Sequence, residues 1–243
     1  MKYLSTGNDP KTTKGESLGI KTAILYLAPA KEAGGRNLCP HASPGCLAAC
    51  IYTAGHGRMQ PVKNARIRRT RDFFDNPKRF VEELAFDVRE MQIIAERAGM
   101  RLAIRLNGTS DIPWENLGGE TGQALMDRFP EVQWYDYTKN PARALKHARG
   151  EMPVNYFLAF SRSECNDEAV GRIMRAGGSV AAVFDLKKSE PFPKTWGGKR
   201  VVDGDANDAI FEHGAGVVIG LRAKGEGKRD ASGFVINLQT SKP

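Results

Sequence analysis

No stretch of this 243-residue chain approaches the ~20 consecutive apolar residues that a membrane-crossing helix needs. Residues 1–18 lack the apolar core of a secretion signal, so the expectation is a protein of a reducing cytoplasm with no membrane partner. Cysteine is scarce, four in all, which is too few for a disulfide scaffold in a chain long enough to bury its own core. No C-x2-C pair is present, which weighs against a closed tetrahedral zinc site. A Gly-x-Gly-x-x-Gly after an early strand and a Gly-x-x-x-x-Gly-Lys-Ser/Thr loop are both missing, so neither a dinucleotide fold nor a phosphate-binding loop is expected. Internal repeats and low-complexity tracts are missing too.

What is present is an excess of positive charge, 36 Lys and Arg against 28 Asp and Glu, for a formal net charge of +8. Such a balance favours contact with something anionic, a nucleotide or nucleic acid. The excess is partly concentrated between Lys63 and Arg79, where a helix over 61–71 carries Lys63, Arg66, Arg68 and Arg69 as candidates for nucleic-acid phosphates. No zinc finger, helix-turn-helix or RNA-binding signature accompanies them, and a solvated basic face explains the same residues.

Residues 1–19, rich in Lys, Thr, Gly and Ser, read as a flexible N-terminal arm, and 20–243 as one domain. Short apolar runs predict strands over 20–27, 102–107, 132–137, 156–161, 179–184, 200–202, 217–221 and 234–238. Helical spacing predicts helices over 77–97, 121–129, 141–148 and 167–176, besides 61–71. Strand and helix in alternation imply parallel pairing with right-handed crossovers, hence an α/β fold and a full or partial (β/α) barrel. The last two strands read as a C-terminal antiparallel β-hairpin.

Inside the loop 37–58, Cys39, Cys46 and Cys50 have the spacing C-x6-C-x3-C, bent by Pro40, Pro44 and Gly45. Three soft thiolates in twelve residues can converge on one centre without help from distant chain, which suits an iron–sulfur cluster. A zinc site completed by His41 or His56, and three unreactive buried thiols, are the competing readings. Cys165 is the candidate for a fourth ligand. If the three loop thiolates act alone, a four-iron cluster keeps one iron open to a small ligand.

In such barrels the chemistry sits where strands end at their C-terminal face. The polar residues just past each strand there give a candidate cofactor-binding set of Asn107, Ser110, Asp111, Lys139, Arg162 and Asp205. The plainer reading of Asn107 to Asp111 is an Asx- or Ser-capped turn. Asp203-Gly-Asp-Ala-Asn-Asp208 is not an EF-hand, because its sixth residue is Asp and the twelfth-position Glu is missing.

Together these segments, Asn37-Leu-Cys-Pro, Ser43-Pro-Gly-Cys, Arg105-Leu-Asn-Gly-Thr-Ser-Asp, Tyr135-Asp-Tyr-Thr-Lys and Asp203-Gly-Asp-Ala-Asn-Asp, resemble a family of bacteriophage-encoded, radical-SAM-like iron–sulfur proteins. The resemblance implies a barrel with a 4Fe-4S cluster in the first βα loop and a place in a bacterial host cell; it supplies no activity. It also brings S-adenosylmethionine as a cofactor, although C-x6-C-x3-C departs from the C-x3-C-x2-C of the radical SAM superfamily. The expectation is therefore an iron–sulfur protein, with a radical or redox enzyme acting on a nucleotide or nucleic acid as its active form. The alternatives are a non-enzymatic nucleic-acid-binding protein with a structural cluster, and a zinc-stabilised interaction module.

Overall fold

A computed structural model describes residues 2–6 and 13–239. Its strands are β1 (Leu4–Ser5), β2 (Ile20–Leu25), β3 (Arg101–Arg105), β4 (Gln133–Thr138), β5 (Tyr156–Ser161), β6 (Val180–Phe184), β7 (Thr195–Trp196), β8 (Lys199–Asp203), β9 (Val218–Arg222) and β10 (Val235–Ile236). The helices are α1 (Pro44–Ala48), α2 (Gln60–Asp75), α3 (Pro77–Arg97), α4 (Leu125–Arg128), α5 (Pro141–Ala148) and α6 (Asp167–Arg175). None is long and apolar enough to cross a membrane.

Residue chemistry explains where the main helices begin and stop. Asn76 caps α3 by accepting from the Arg79 N–H at 3.1 Å, Pro77 occupies its first turn, and Gly99 at φ 65° follows its end. Between them Phe80, Leu84, Val88, Met91 and Ala95 repeat at helical spacing and are fully buried against the sheet. Each large member of that stripe contributes roughly 1.5–3 kcal/mol through burial. The same grammar opens α5, where Asn140 accepts from the Ala142 and Arg143 N–H groups ahead of its helical turns. The helix expected over 121–129 shortens to Leu125–Arg128, because Gly118 and Ala124 bridge across a turn with Gly122 at φ 75°.

The strands form one mixed sheet in the order β1-β2-β3-β4-β5-β6-β9-β8-β7, parallel from β2 to β8 and antiparallel at both ends. From β2 to β6 each new strand joins the same side of its predecessor, and right-handed crossovers then place the connecting helices on one face. That face carries two apolar layers, one of α3 with Ala23, Leu25, Ile104, Trp134 and Leu158, the other of α5 and α6 with Phe160, Ala182, Phe184 and Val218. The opposite face must be covered by something else.

A full barrel would cover that face by pairing its first and last strands; among the described residues this sheet is not closed. A segment of chain does the covering instead. Residues 204–213, just past β8, fold back over the sheet, and Ala209 and Ile210 are buried with Ile20, Ala103, Tyr135, Phe157 and Ile219. Polar contacts fix the return: the Arg101 guanidinium meets Glu212 at 2.8 Å and Lys14 Nζ donates to the Asp205 carbonyl at 2.5 Å. The fold is thus mixed α/β with an inner face plugged by a loop.

The C-terminal hairpin is a correction. β10 does not pair with β9; it runs parallel to β6, matching Val235 with Val183 and Ile236 with Phe184. β5 pairs with β6 at Val180 and Ala181. Beyond them β10 takes over that side of β6, a long-range pairing that no local alternation could reveal. At the other terminus, part of the expected arm is sheet. Leu4 pairs with Leu25, and Asp87 of α3 accepts the N–H groups of Lys2, Tyr3 and Leu4 at 2.7, 2.6 and 2.9 Å. Residues 7–12 of that arm lie outside the described residues.

Candidate functional site

Parallel strands end together, so the loops leaving β2, β3, β4, β5, β6 and β9 meet at one edge of the sheet. A cavity of about 250 Å³ opens there. Inward-facing residues of the strands, Arg105, Tyr137, Ser161, Val183 and Leu221, form its floor, while Cys39, Cys46 and Cys50 come from the loop after β2. Asp205, Asn207 and Asp208 from the plug, and Lys224, Gly227 and Phe234 from the chain after β9, complete the walls.

The cysteine loop is held by several independent contacts. Ser43 caps α1, its hydroxyl accepting from the Cys46 N–H at 3.2 Å. The Glu164 carboxylate takes the Ser43 hydroxyl and the Gly45 N–H, each at 2.8 Å. Burial pushes that carboxyl upward, yet these hydrogen bonds outweigh it and hold Glu164 below its usual range. A side chain on Gly45 would strike Ser232, Glu164 and Phe234, so the loop lies tight against the C-terminal segment. Further along, buried Arg66 donates to the Tyr52 carbonyl at 2.9 Å and stacks on the rings of Tyr26 and Tyr52.

All three thiols are half-buried and line the cavity. Burial, then Asp111 and the other two thiols, raises Cys39 to about 12; burial likewise raises Cys46, against the pull of Lys139. Cys39 and Cys46 thus hold their thiol protons more tightly than exposed cysteines do. Cys39 Sγ lies 3.9 Å from the Thr109 carbonyl, its weak acceptor. Among the described residues, no three His, Cys, Asp or Glu side chains are grouped to hold a metal ion.

The expected cofactor set divides in two. Asn107, Ser110, Asp111, Lys139 and Asp205 all line the cavity, whereas Arg162 does not. Arg162 instead pairs with Asp167 at 3.0 Å and donates to the carbonyls of Gly233 and Phe234, tying down the C-terminal segment. Asn107 spends its side chain on the fold. Its oxygen accepts from the Ser110 hydroxyl, the Ile112 N–H and the Trp114 indole, and its amide donates to the Ile112 carbonyl and Asp136. Asp111 accepts from the Thr138 hydroxyl, the Lys139 N–H and Arg143 at 2.7, 2.8 and 2.8 Å. Those three residues shape the rim, and their side chains reach Ile112, Trp114, Asp136, Thr138 and Arg143 rather than closing an Asx or Ser cap. Lys139 is different: its ammonium donates to the Ser161 hydroxyl at 2.7 Å, lies 5.2 Å from the Phe234 ring centre and acts on Cys46.

Cys165, the candidate fourth ligand, is exposed, lies outside the cavity lining and meets the Ser163 hydroxyl at 3.7 Å. His41 and His56, the candidates for completing a zinc site, are exposed and outside it as well. Of the nucleic-acid set, Arg68 is exposed and Lys63 and Arg69 are half-buried, but Arg66 is buried beneath the cysteine loop and withdrawn from any phosphate-binding face. Sequence reasoning passed over Arg105 and Tyr137 as site residues, and left Glu164, one of the polar residues just past the strand over 156–161, out of the candidate set. A charged residue inside the otherwise apolar run of β3 was the available signal for Arg105.

The model of the gene product 88 family matches residues 2–238. It is a phage-type gene-product family, which fits the bacteriophage resemblance. No curated protein and no solved structure matches the chain.

Proposed function

We propose that this chain, which belongs to the gene product 88 family, binds an iron–sulfur cluster through Cys39, Cys46 and Cys50 and presents it to a small ligand in the adjoining cavity. The observation that carries the reading is the presence of three thiols from one short loop in the lining of a single cavity at the C-terminal edge of parallel strands. The donor chemistry suits the group. Sulfur is the ligand an iron–sulfur cluster takes, and a polynuclear centre spans more space than one ion, so its ligands need not crowd together as the ligands of a single zinc do. With Cys165, His41 and His56 outside the lining, three protein ligands are available, a set that leaves one iron of a four-iron cluster open.

When bound, such a cluster supplies one electron at a time at that mouth. The chain's own residues do the rest. Lys139, beside Cys46, offsets negative charge at the thiolates, and the Ser43–Glu164 clamp fixes the loop that holds them. Arg105, Tyr137 and Leu221 shape the space for a ligand, and the loop 204–213 keeps bulk water from its inner side. The radical-SAM-like form of the proposal adds S-adenosylmethionine as the ligand of the open iron.

Purification without oxygen tests the cluster directly. The expected preparation is brown, holds iron and sulfide, and keeps both in Cys165→Ser while losing them in Cys39→Ser, Cys46→Ser or Cys50→Ser. A colourless protein without iron or sulfide overturns the proposal, and zinc in place of iron replaces it. For the radical-SAM-like form, S-adenosylmethionine should alter the paramagnetic spectrum of the reduced cluster; an unchanged spectrum ends it.

A further inference from the structure

Buried arginines ordinarily have their five N–H donors matched to acceptors, and an unmatched donor away from water calls for an explanation. Arg105 is 5% exposed and lines the cavity. Among the described residues its hydrogen bonds reduce to one, from Nη1 to Asp208 at a long 3.4 Å. Its Nε is sealed from solvent and has no partner. The guanidinium is held in place nonetheless, with its carbon 4.7 Å from the centre of the Tyr137 ring. Asp208 is held separately by the Tyr135 hydroxyl at 2.8 Å.

We propose that Arg105 is the anchor of an anion subsite on the cavity floor, and that the anion is the carboxylate of a small organic ligand. Nη1 leans on Asp208 and Nε is sealed, which leaves Nη2, without a partner among the described residues, as the donor that meets a carboxylate oxygen at the end of the guanidinium. The wall, rather than charge, selects the class: Lys14, Lys139, Arg222 and Lys224 line the cavity with Arg105, against Asp111, Asp205 and Asp208, so charge asks for an anion, and the apolar surface beside it favours an organic carboxylate over inorganic phosphate. Val183, Leu221 and Phe234 supply apolar wall for the rest of the molecule, and about 250 Å³ limits it to a small one. The inference goes beyond the cluster proposal and does not need it, since it concerns the floor rather than the thiols.

Benzoate and inorganic phosphate serve as probes, with benzamide as the uncharged control, titrated by calorimetry into the full chain in iron-loaded and iron-free form. Benzoate is expected to bind both forms, more tightly than phosphate or benzamide, and to shift the 15N resonance of the Arg105 Nε. In Arg105→Lys, which keeps the charge and loses the fixed planar donor, benzoate affinity should fall roughly tenfold or more. The resonance shift in the unmodified chain guards against a variant that merely misfolds. Benzoate affinity unchanged in Arg105→Lys, tighter binding of phosphate, equal binding of benzamide, or no shift at Nε overturns the assignment. The cluster is judged separately by iron, sulfide and colour, so either idea can fail alone.

Discussion

Two arginines, almost equally buried, sit on opposite faces of the same sheet. Arg143, 6% exposed and on the helix-covered face, donates to both oxygens of Glu115 at 2.7 and 2.8 Å, to Asp111 at 2.8 Å, to the Thr138 hydroxyl at 3.2 Å and to the Tyr156 hydroxyl at 3.1 Å. Arg105, on the inner face, has one long bond to Asp208. Around Arg143 the buried polar groups are saturated, as a low-dielectric interior demands. Where it faces the cavity, donors are left over. The difference separates polar residues that build the rim from those free to meet a ligand, which composition alone does not do.

The largest effect that could break this contrast is a matched pair of lysine substitutions. Arg143→Lys keeps the charge but cannot reproduce the fork, and should cost about 3 kcal/mol or more in urea unfolding as several charge-assisted bonds are lost. Arg105→Lys should cost less than about 1 kcal/mol, since it forfeits one weak bond. Equal losses would erase the distinction.

Next comes the pH dependence of the saturated network. Asp136 lies buried beneath it, accepting from the Asn107 N–H at 2.7 Å and the Tyr156 hydroxyl at 3.1 Å, and burial, against the pull of Arg105, raises it from 3.8 to about 7. A carboxyl raised on folding binds its proton more tightly in the folded state. Its contribution is therefore full below about pH 4 and is lost as pH rises through about 7. Asp136→Asn should flatten stability across that window by on the order of 1–3 kcal/mol. An unchanged slope would mean that the network holds Asp136 ionised throughout.

The smallest effect belongs to the cavity's clamp. Glu164→Gln retains one acceptor for the Gly45 N–H and should destabilise by about 1 kcal/mol. Its pH signature is opposite in sign to that of Asp136: a carboxyl held below its usual 4.5 contributes above that value, and its contribution fades as pH falls through the folded value. Loss of cooperative unfolding in Glu164→Gln would show the clamp to be structural to the whole fold rather than to the loop.

Periodicity located the central strands and the long helices because each carries its own pattern: α3 has its stripe, and β4 and β5 lie within a residue or two of their expected limits. The three cysteines were legible for the same reason, being local in sequence. Local patterns ran out wherever the deciding partner is distant. The choice between a full and a partial barrel depends on a plug between β8 and β9, the position of β10 on a partner some fifty residues upstream. Arg66 looked like one more charge on a basic helix until Tyr26 and Tyr52 closed over it. Asn107 was read equally well as a capped turn, but its side chain reaches Ile112, Trp114 and Asp136 instead.

The late placement of β10 has a consequence for synthesis on the ribosome. Cys39, Cys46 and Cys50 emerge early, while Glu164, Ser232 and Phe234, which press on their loop, emerge far later. For most of translation the three sulfurs hang from an unfinished scaffold, open to oxidants and to any metal nearby. Their proper enclosure waits until a short final ribbon threads beside β6, so a nascent chain stalled before that point would expose reactive sulfur without the walls that later shelter it.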